Sequence, residues 1–80
     1  MDMYTAVKYR ILQLCNEKNM TINKLANHAG VSPSTLKSIL YGNSKNPGIV
    51  TLKMIFDGLD VTVKEFFDAE VFENLEQEIK

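Results

Sequence analysis

The sequence predicts an all-α protein: a compact bundle of five helices followed by an amphipathic helical tail. Three observations support this prediction. Apolar residues recur at helical spacing through most of the 80 residues, and residues that typically begin or end helices separate these stretches. In addition, no segment shows the alternation of apolar and polar residues that is typical of a half-buried strand.

The first two helices have clear boundary signals. Apolar residues at helical spacing predict a first helix over residues 3–18, which Asn19 ends. Thr21 offers a side-chain oxygen that can cap the start of a second helix over residues 22–29. Gly30 ends this helix, because glycine adopts the left-handed cap conformation without a Cβ clash.

The third helix is predicted from Pro33 to about Tyr41. Ser32 is a capping residue, and proline is well suited to the first turn of a helix. Gly42 ends the helix, and residues 43–48 form a polar turn rich in Asn, Ser, Pro and Gly. The second and third helices are therefore short and are joined by a tight, glycine-containing turn.

A fourth helix is predicted over about residues 49–59, with Val50, Met54 and Ile55 on its apolar face. Thr62 and Glu65 then match a capping box, in which each side chain bonds the other residue's backbone N–H, and a fifth helix follows. The tail, residues 70–80, places three apolar side chains four residues apart with acidic residues opposite, and so predicts an amphipathic helix. These are Val71, Leu75 and Ile79.

The chain is long enough for one small domain of ordinary soluble composition, 45% hydrophobic and 24% charged. No apolar run approaches the roughly 18 residues of a membrane span. The first residues do not resemble a signal peptide, and one cysteine, Cys15, cannot form an internal disulfide. We therefore expect a cytoplasmic protein rather than a secreted, disulfide-stapled or membrane-spanning one.

The charge is divided unequally along the chain, although the net charge is only −1. Residues 1–53 carry seven basic and two acidic residues, a net charge of +5, whereas residues 54–80 carry two basic and eight acidic residues, a net charge of −6. The first half can therefore bind a polyanion while the acidic half faces away. Two solvated faces that differ by chance would give the same distribution.

The second and third helices have the pattern of a helix-turn-helix motif. Ala26 is small enough to let the helices cross closely, and Gly30 permits the bend between them. Val31, Leu36 and Ile39 are expected to bury the inner side of the third helix, which turns its other side outward. The outer side carries small donors, one cation and one aromatic ring: Ser34, Lys37, Ser38 and Tyr41.

This stretch resembles the helix-turn-helix family of phage repressors, Cro proteins and their bacterial relatives, the xenobiotic-response-element class. The resemblance covers about residues 9–68 and rests on three segments: Ile11–Thr21, Leu25–Gly42 and Asn46–Phe67. It implies a five-helix, lambda-repressor-like DNA-binding domain over residues 1–69. Residues 70–80 would then be an acidic amphipathic C-terminal extension.

The resemblance also implies which residues contact DNA. The N-terminal part of the third helix would enter the major groove and read base edges, through Pro33, Ser34, Lys37 and Ser38. Phosphates would be contacted from the start of the second helix and from both ends of the third, through Thr21, Ser32, Tyr41, Asn43, Ser44 and Lys45. Packing remains the alternative for Tyr41, and a solvated loop position remains the alternative for Lys45.

Two features depart from the family pattern. The family commonly pairs an Arg in the first helix with a Glu near the end of the third, and Cys15 and Leu40 stand at these positions here. An apolar contact thus replaces an ion pair, which can be neutral for stability because no charge must be desolvated. Ile22 stands where the family often has a backbone-contacting Gln, so DNA binding is expected to be modest and strongly salt-sensitive.

The sequence therefore predicts a transcriptional regulator, a repressor that occupies an operator in double-stranded DNA. The alternative is an antitoxin or adaptor-type protein-binding module that uses the acidic C-terminal half. An enzyme is not expected, because His28 and Cys15 have no catalytic partners and no phosphate loop is present; no cofactor and no metal are expected either. The tail either folds back on its own core or forms a seam between two copies, and we favour a homodimer through the C-terminal helices.

Overall fold

The computed structural model describes residues 1–42 and 44–79, and within them the chain forms five α-helices, one turn of 3-10 helix and no strand. The helices are α1 (Met3–Glu17), α2 (Ile22–Ala29), α3 (Pro33–Tyr41), α4 (Ile49–Gly58) and α5 (Val63–Phe67), and the 3-10 turn spans Glu70–Phe72. The all-α prediction is confirmed. The bounds of α1 to α4 agree with the predicted ones to within one residue.

Side-chain caps begin both the first and the last α-helix. The Asp2 carboxylate accepts the Thr5 N–H at 2.8 Å, and bonds from Thr5 lower the pKa of Asp2. At α5 the predicted capping box is complete: Thr62 Oγ1 accepts the Glu65 N–H at 3.0 Å, and Glu65 Oε1 accepts the Thr62 N–H at 2.9 Å. Because the second bond favours the ionised carboxylate, it lowers the pKa of Glu65.

Residues in the left-handed conformation follow three of the helices and turn the chain. Asn19 has φ +52° after α1, and Asp60 has φ +58° after α4. Gly30 has φ +72° after α2, and its N–H bonds the Ala26 and Asn27 carbonyl oxygens. The predicted stops at Asn19 and Gly30 are therefore confirmed, and Gly30 makes the bend of the helix-turn-helix pair.

All five helices contribute to one hydrophobic core. Phe56 of α4 and Phe66 of α5 stack in it with their ring centroids 4.0 Å apart. Cys15 and Leu40 are both buried there, as expected for an apolar replacement of the family's ion pair, and burial raises the pKa of the Cys15 thiol. The other buried members are Val7, Ile11, Leu14, Leu25, Ala26, Ala29, Leu36, Ile39, Ile55 and Leu59.

Helices α2 and α4 pack closely where Gly58 of α4 has no side chain. A Cβ atom on Gly58 would lie 2.8 Å from the Ala29 backbone N and 2.9 Å from both Ala29 Cα and Cβ. Real Cβ atoms almost never come this near to backbone, so glycine at the end of α4 allows the two helices to pack at this distance. The contact lies at the C-terminal end of α2, the first helix of the pair.

The predicted apolar face of α4 is partly wrong. Ile55 is buried as expected, but Val50 is 72% exposed and the neighbouring Ile49 is 83% exposed. The face that packs on the core runs through Leu52, Ile55, Phe56 and Leu59. At 100° per residue, Val50 lies on the opposite side of the helix from Leu52, so the first turn of α4 presents apolar side chains to solvent.

The helix predicted over residues 70–80 is also wrong in its described part, residues 70–79. After the 3-10 turn, Asn74 has φ +57° and the rest of the described tail has no regular structure. Glutamates three residues apart, at 70, 73 and 76, would repel one another along a helix. The tail instead lies against the start of α1, where Glu76 Oε2 is 3.2 Å from the Met1 ammonium and Glu78 Oε2 accepts the Met3 N–H at 3.1 Å.

One aromatic side chain anchors the tail to the core. Phe72 packs against Phe67 and Phe66, with ring centroids 4.9 and 5.8 Å apart. Of the two arrangements considered for the tail, the structure has the one in which it folds back on its own chain. Ile79, which the helical pattern placed on the apolar face, is 86% exposed.

Candidate nucleic-acid interface

The N-termini of α2 and α3 are capped as the sequence predicts. Thr21 Oγ1 accepts the Lys24 N–H at 3.1 Å, and Ser32 Oγ accepts the Thr35 N–H at 3.1 Å. Neither helix has an acidic residue in its first turn. The partial positive charge at each N-terminus is therefore not neutralised by a carboxylate of its own first turn, which suits contact with phosphate.

The third helix has one buried and one exposed side. Leu36 and Ile39 are buried against the core, and Val31 in the turn before the helix packs on it partly exposed. The four predicted base-reading residues are all exposed on the other side: Pro33, Ser34, Lys37 and Ser38. The packing of the underside thus holds these side chains outward, as a helix must if it is to enter a groove.

A polar cleft of about 350 Å³ runs between the exposed side of α3 and the start of α4. It brings together three of the predicted contact residues, Ser34, Ser38 and Ser44. The Ser44 N–H also bonds the Ser38 carbonyl oxygen at 3.4 Å, which ties the loop to the helix end. The rest of the lining comprises Thr35, Ile39, Asn46, Pro47, Gly48 and Thr51.

The two capping hydroxyls differ in what they can still donate. Ser32 Oγ donates to Thr35 Oγ1 at 2.8 Å and lies 3.2 Å from Ser34 Oγ, so its proton is already used within the helix. Thr21 Oγ1 accepts one N–H, and its proton has no acceptor among residues 1–42 and 44–79. Thr21 is therefore the better placed of the two to donate to a phosphate oxygen.

The remaining predicted phosphate contacts are distributed around the end of α3. Tyr41 is 66% exposed, which favours contact over packing. Lys45 is exposed and borders a more apolar groove of about 540 Å³, together with Tyr4 and Glu78. Met3 and Tyr4 line the same groove, so Lys45 lies near the start of α1. Asn43 lies outside the described residues.

The structure adds candidates that sequence reasoning missed. Thr51 and Asn46 line the cleft beside Ser38, although only the fold brings them there. Lys24 is exposed in the first turn of α2, where the helix dipole disfavours a cation. A lysine in the first turn of a helix is unfavourable unless an anion lies nearby. Lys24 could therefore have been predicted from the sequence as a phosphate contact.

Other kinds of site find no support in the described part of the chain. No helix there is long and apolar enough to cross a membrane. His28 is exposed at the end of α2, and no group of three or more His, Cys, Asp or Glu side chains within residues 1–42 and 44–79 could hold a metal ion.

Comparison with known proteins identifies the fold and the motif. Residues 10–71 match the family described as the Cro/C1-type HTH DNA-binding domain. The chain is 42% identical over 62 residues to the HTH-type transcriptional regulator SlrR of Bacillus subtilis (strain 168); the match spans 76% of this chain but only 41% of SlrR. It is also similar to the crystal structure of the prophage Lp1 protein 11, with a TM-score of 0.77 and 30% identity over 94% of this chain and all of that one.

The family match covers well over half of the chain and contains the whole helix-turn-helix pair with α4 and α5. The family is described as a DNA-binding one. The chain therefore belongs to the Cro/C1-type helix-turn-helix DNA-binding domain family.

Proposed function

We propose that the protein is a sequence-specific transcriptional repressor that occupies its operator, with α3 inserted in the major groove. One observation carries the proposal: Ser34, Lys37 and Ser38 form an exposed polar face over the buried Leu36 and Ile39. The similarity to SlrR, which is described as a transcriptional regulator, supports a regulatory role. A regulator of this kind acts on chromosomal or phage DNA in the cytoplasm.

The exposed face of α3 supplies the groups that distinguish base pairs. The Lys37 ammonium can donate to guanine O6 and N7 in the major groove. Ser34 and Ser38 can donate or accept, so they fit several bases, and Pro33 offers an apolar contact to a thymine methyl group. Lys37 is therefore the residue from which we expect the strongest discrimination.

Phosphate contacts on two sides of α3 would fix its depth in the groove. On one side, Thr21 and Lys24 lie at the N-terminus of α2, whose dipole adds to the attraction. On the other, Ser44 and Thr51 face the cleft beside Ser38. Lys45 would add a charge-based contact from the loop.

The protein would bind as a homodimer to two half-sites about 34 Å apart, one turn of duplex. The route that the sequence suggested, a seam of C-terminal helices, is not available because the tail is not helical. The proposal of a homodimer therefore rests on the general way in which dimeric helix-turn-helix proteins bind two half-sites. A palindrome in the preferred duplex, together with a two-to-one protein-to-duplex mass in sedimentation, would support it.

The test begins with selection of bound duplexes from a random library. Binding of the selected and of a random duplex is then compared for three variants of exposed lysines: Lys37→Ala, Lys45→Ala and, as a control on α5, Lys64→Ala. Lys37→Ala should lose about 1–3 kcal/mol of binding free energy with the selected duplex and should relax the sequence preference at one base pair. Lys45→Ala should weaken binding to both duplexes alike. It should also reduce by about 1 the slope of the logarithm of the binding constant against the logarithm of the salt concentration.

Two results would contradict the proposal. Equal losses on both duplexes from Lys37→Ala and Lys45→Ala would refute the separate roles of the two lysines. Absence of salt-dependent DNA binding would instead favour the second candidate, an antitoxin or adaptor module that docks a protein on the acidic half. For the repressor role, addition of the protein to an in vitro transcription reaction should reduce transcription only when the selected duplex overlaps the promoter.

A further inference from the structure

A hydrogen bond joins the first helix to the end of the third. The Tyr4 hydroxyl on α1 donates to the Ile39 carbonyl oxygen on α3 at 2.6 Å, in a partly buried position. The two residues are 35 positions apart in the chain, so only the tertiary fold brings them together. This short distance is typical of a well-formed bond from a hydroxyl.

The bond supplies a hydrogen-bond donor to a carbonyl group at the C-terminal end of α3. The last four carbonyl groups of a helix have no intrahelical N–H partner, and Ile39 is among the last four residues of α3. The preceding carbonyl, that of Ser38, accepts the N–H groups of Gly42 and Ser44. Tyr4 thus caps the C-terminal end of α3 from another helix, while Ser32 caps its N-terminal end.

We propose that Tyr4 is a positioning residue for sequence recognition: by holding the Ile39 carbonyl, it sets how the C-terminal half of α3 is presented to DNA. The inference rests on the proposed function. Lys37 and Ser38 lie within one turn of Ile39, so movement of this end shifts their side chains relative to base edges. Phosphate contacts made from α2 are far less sensitive to such a shift.

The test compares two tyrosines on the same helix. Tyr4→Phe removes only the hydroxyl oxygen and keeps the packing of the ring. Tyr9→Phe is the matched control, because Tyr9 is 50% exposed. We expect Tyr4→Phe to weaken binding to the duplex selected by the wild-type protein by about threefold to tenfold. Binding to a random duplex should change by less than about twofold, since that binding is mainly electrostatic. Tyr9→Phe should leave both unchanged.

A second measurement reports on the bond itself. The amide nitrogen of Leu40 is bonded to the Ile39 carbonyl carbon, so loss of the Tyr4 bond should change the Leu40 ¹⁵N shift in Tyr4→Phe but not in Tyr9→Phe. An unchanged Leu40 shift in Tyr4→Phe would show that the bond is absent in solution and would overturn the inference. Both variants are measured at a temperature at which their circular dichroism matches that of the folded wild-type protein.

The failures can be told apart. If the wild-type protein selects no preferred duplex, the proposed function fails and the positioning role fails with it. If the wild-type protein discriminates and Tyr4→Phe discriminates equally well, only the positioning role is refuted. Equal weakening of binding to the selected and random duplexes would show that the hydroxyl does not act through base recognition, which also overturns the inference.

Discussion

A single methyl group added to Gly58 should destabilise the protein, against the usual effect of this change in a helix. Replacing glycine by alanine within a helix normally gains roughly 0.5–1 kcal/mol because the unfolded chain loses freedom. At Gly58 the new Cβ would lie 2.8–2.9 Å from three Ala29 atoms, two of which belong to the backbone. Such overpacking costs about 1–3 kcal/mol. Because Gly58 is the last residue of α4, its gain in helix propensity is at the low end of the range.

The net effect expected for Gly58→Ala is a loss of about 1.5 kcal/mol in the free energy of unfolding. For a domain of this size that lowers the melting temperature by about 6–12 °C. Urea and thermal unfolding followed by circular dichroism at 222 nm measure both quantities. Gly48→Ala is the matched control, since a Cβ there would meet no atom within 4 Å. It should cost under about 1 kcal/mol, through the weaker capping of alanine. Unchanged or raised stability in Gly58→Ala would refute the claim that a missing side chain sets the α2–α4 distance.

Three further outcomes are expected. Cys15 is buried and its pKa is raised, so iodoacetamide should label it at least about a hundredfold more slowly in the native protein than in urea. The pKa of Glu65 is lowered by folding, so its contribution to stability is present above the ordinary carboxyl pKa of 4.5 and is lost as the pH falls through the lower folded value. The urea midpoint of Glu65→Gln should therefore fall less between pH 7 and pH 3 than that of the wild-type protein, whereas equal falls would contradict this account. Phe72→Ala should lose about 1–3 kcal/mol of stability and Ile79→Ala less than about 0.5 kcal/mol, as measured by urea unfolding; equal losses would show that Phe72 does not anchor the tail.

The helices up to α5 could be predicted because their boundaries are local signals. Thr21, Ser32 and Thr62 each cap the helix that follows. Gly30 adopts the left-handed conformation, which glycine reaches without a Cβ clash. Each of these bonds joins residues within a few positions, so the sequence around them is sufficient. The tail shows the limit of the approach. Its apolar spacing is helical, but Glu76 and the Met1 ammonium attract each other across 75 residues, and no window of sequence reveals that pairing.

The same distinction applies to the candidate interface. The exposed face of α3 follows from helical periodicity once Leu36 and Ile39 are taken as buried, and the structure has both buried. The position of Thr51 beside Ser38 and the cap that Tyr4 places on α3 depend on how α4 and α1 pack. Which base pairs the face prefers depends on the duplex as well as on the protein.

The return of the tail to the start of α1 has a practical consequence. The Glu76 N–H bonds the Met1 carbonyl oxygen at 3.1 Å, so the two ends of the described chain are neighbours. A fluorophore or other bulky group attached at Met1 or at Glu76 would therefore lie at the same corner of the molecule. That corner borders the groove lined by Met3, Lys45 and Glu78, so bulky groups at these two positions should affect DNA affinity in the same direction.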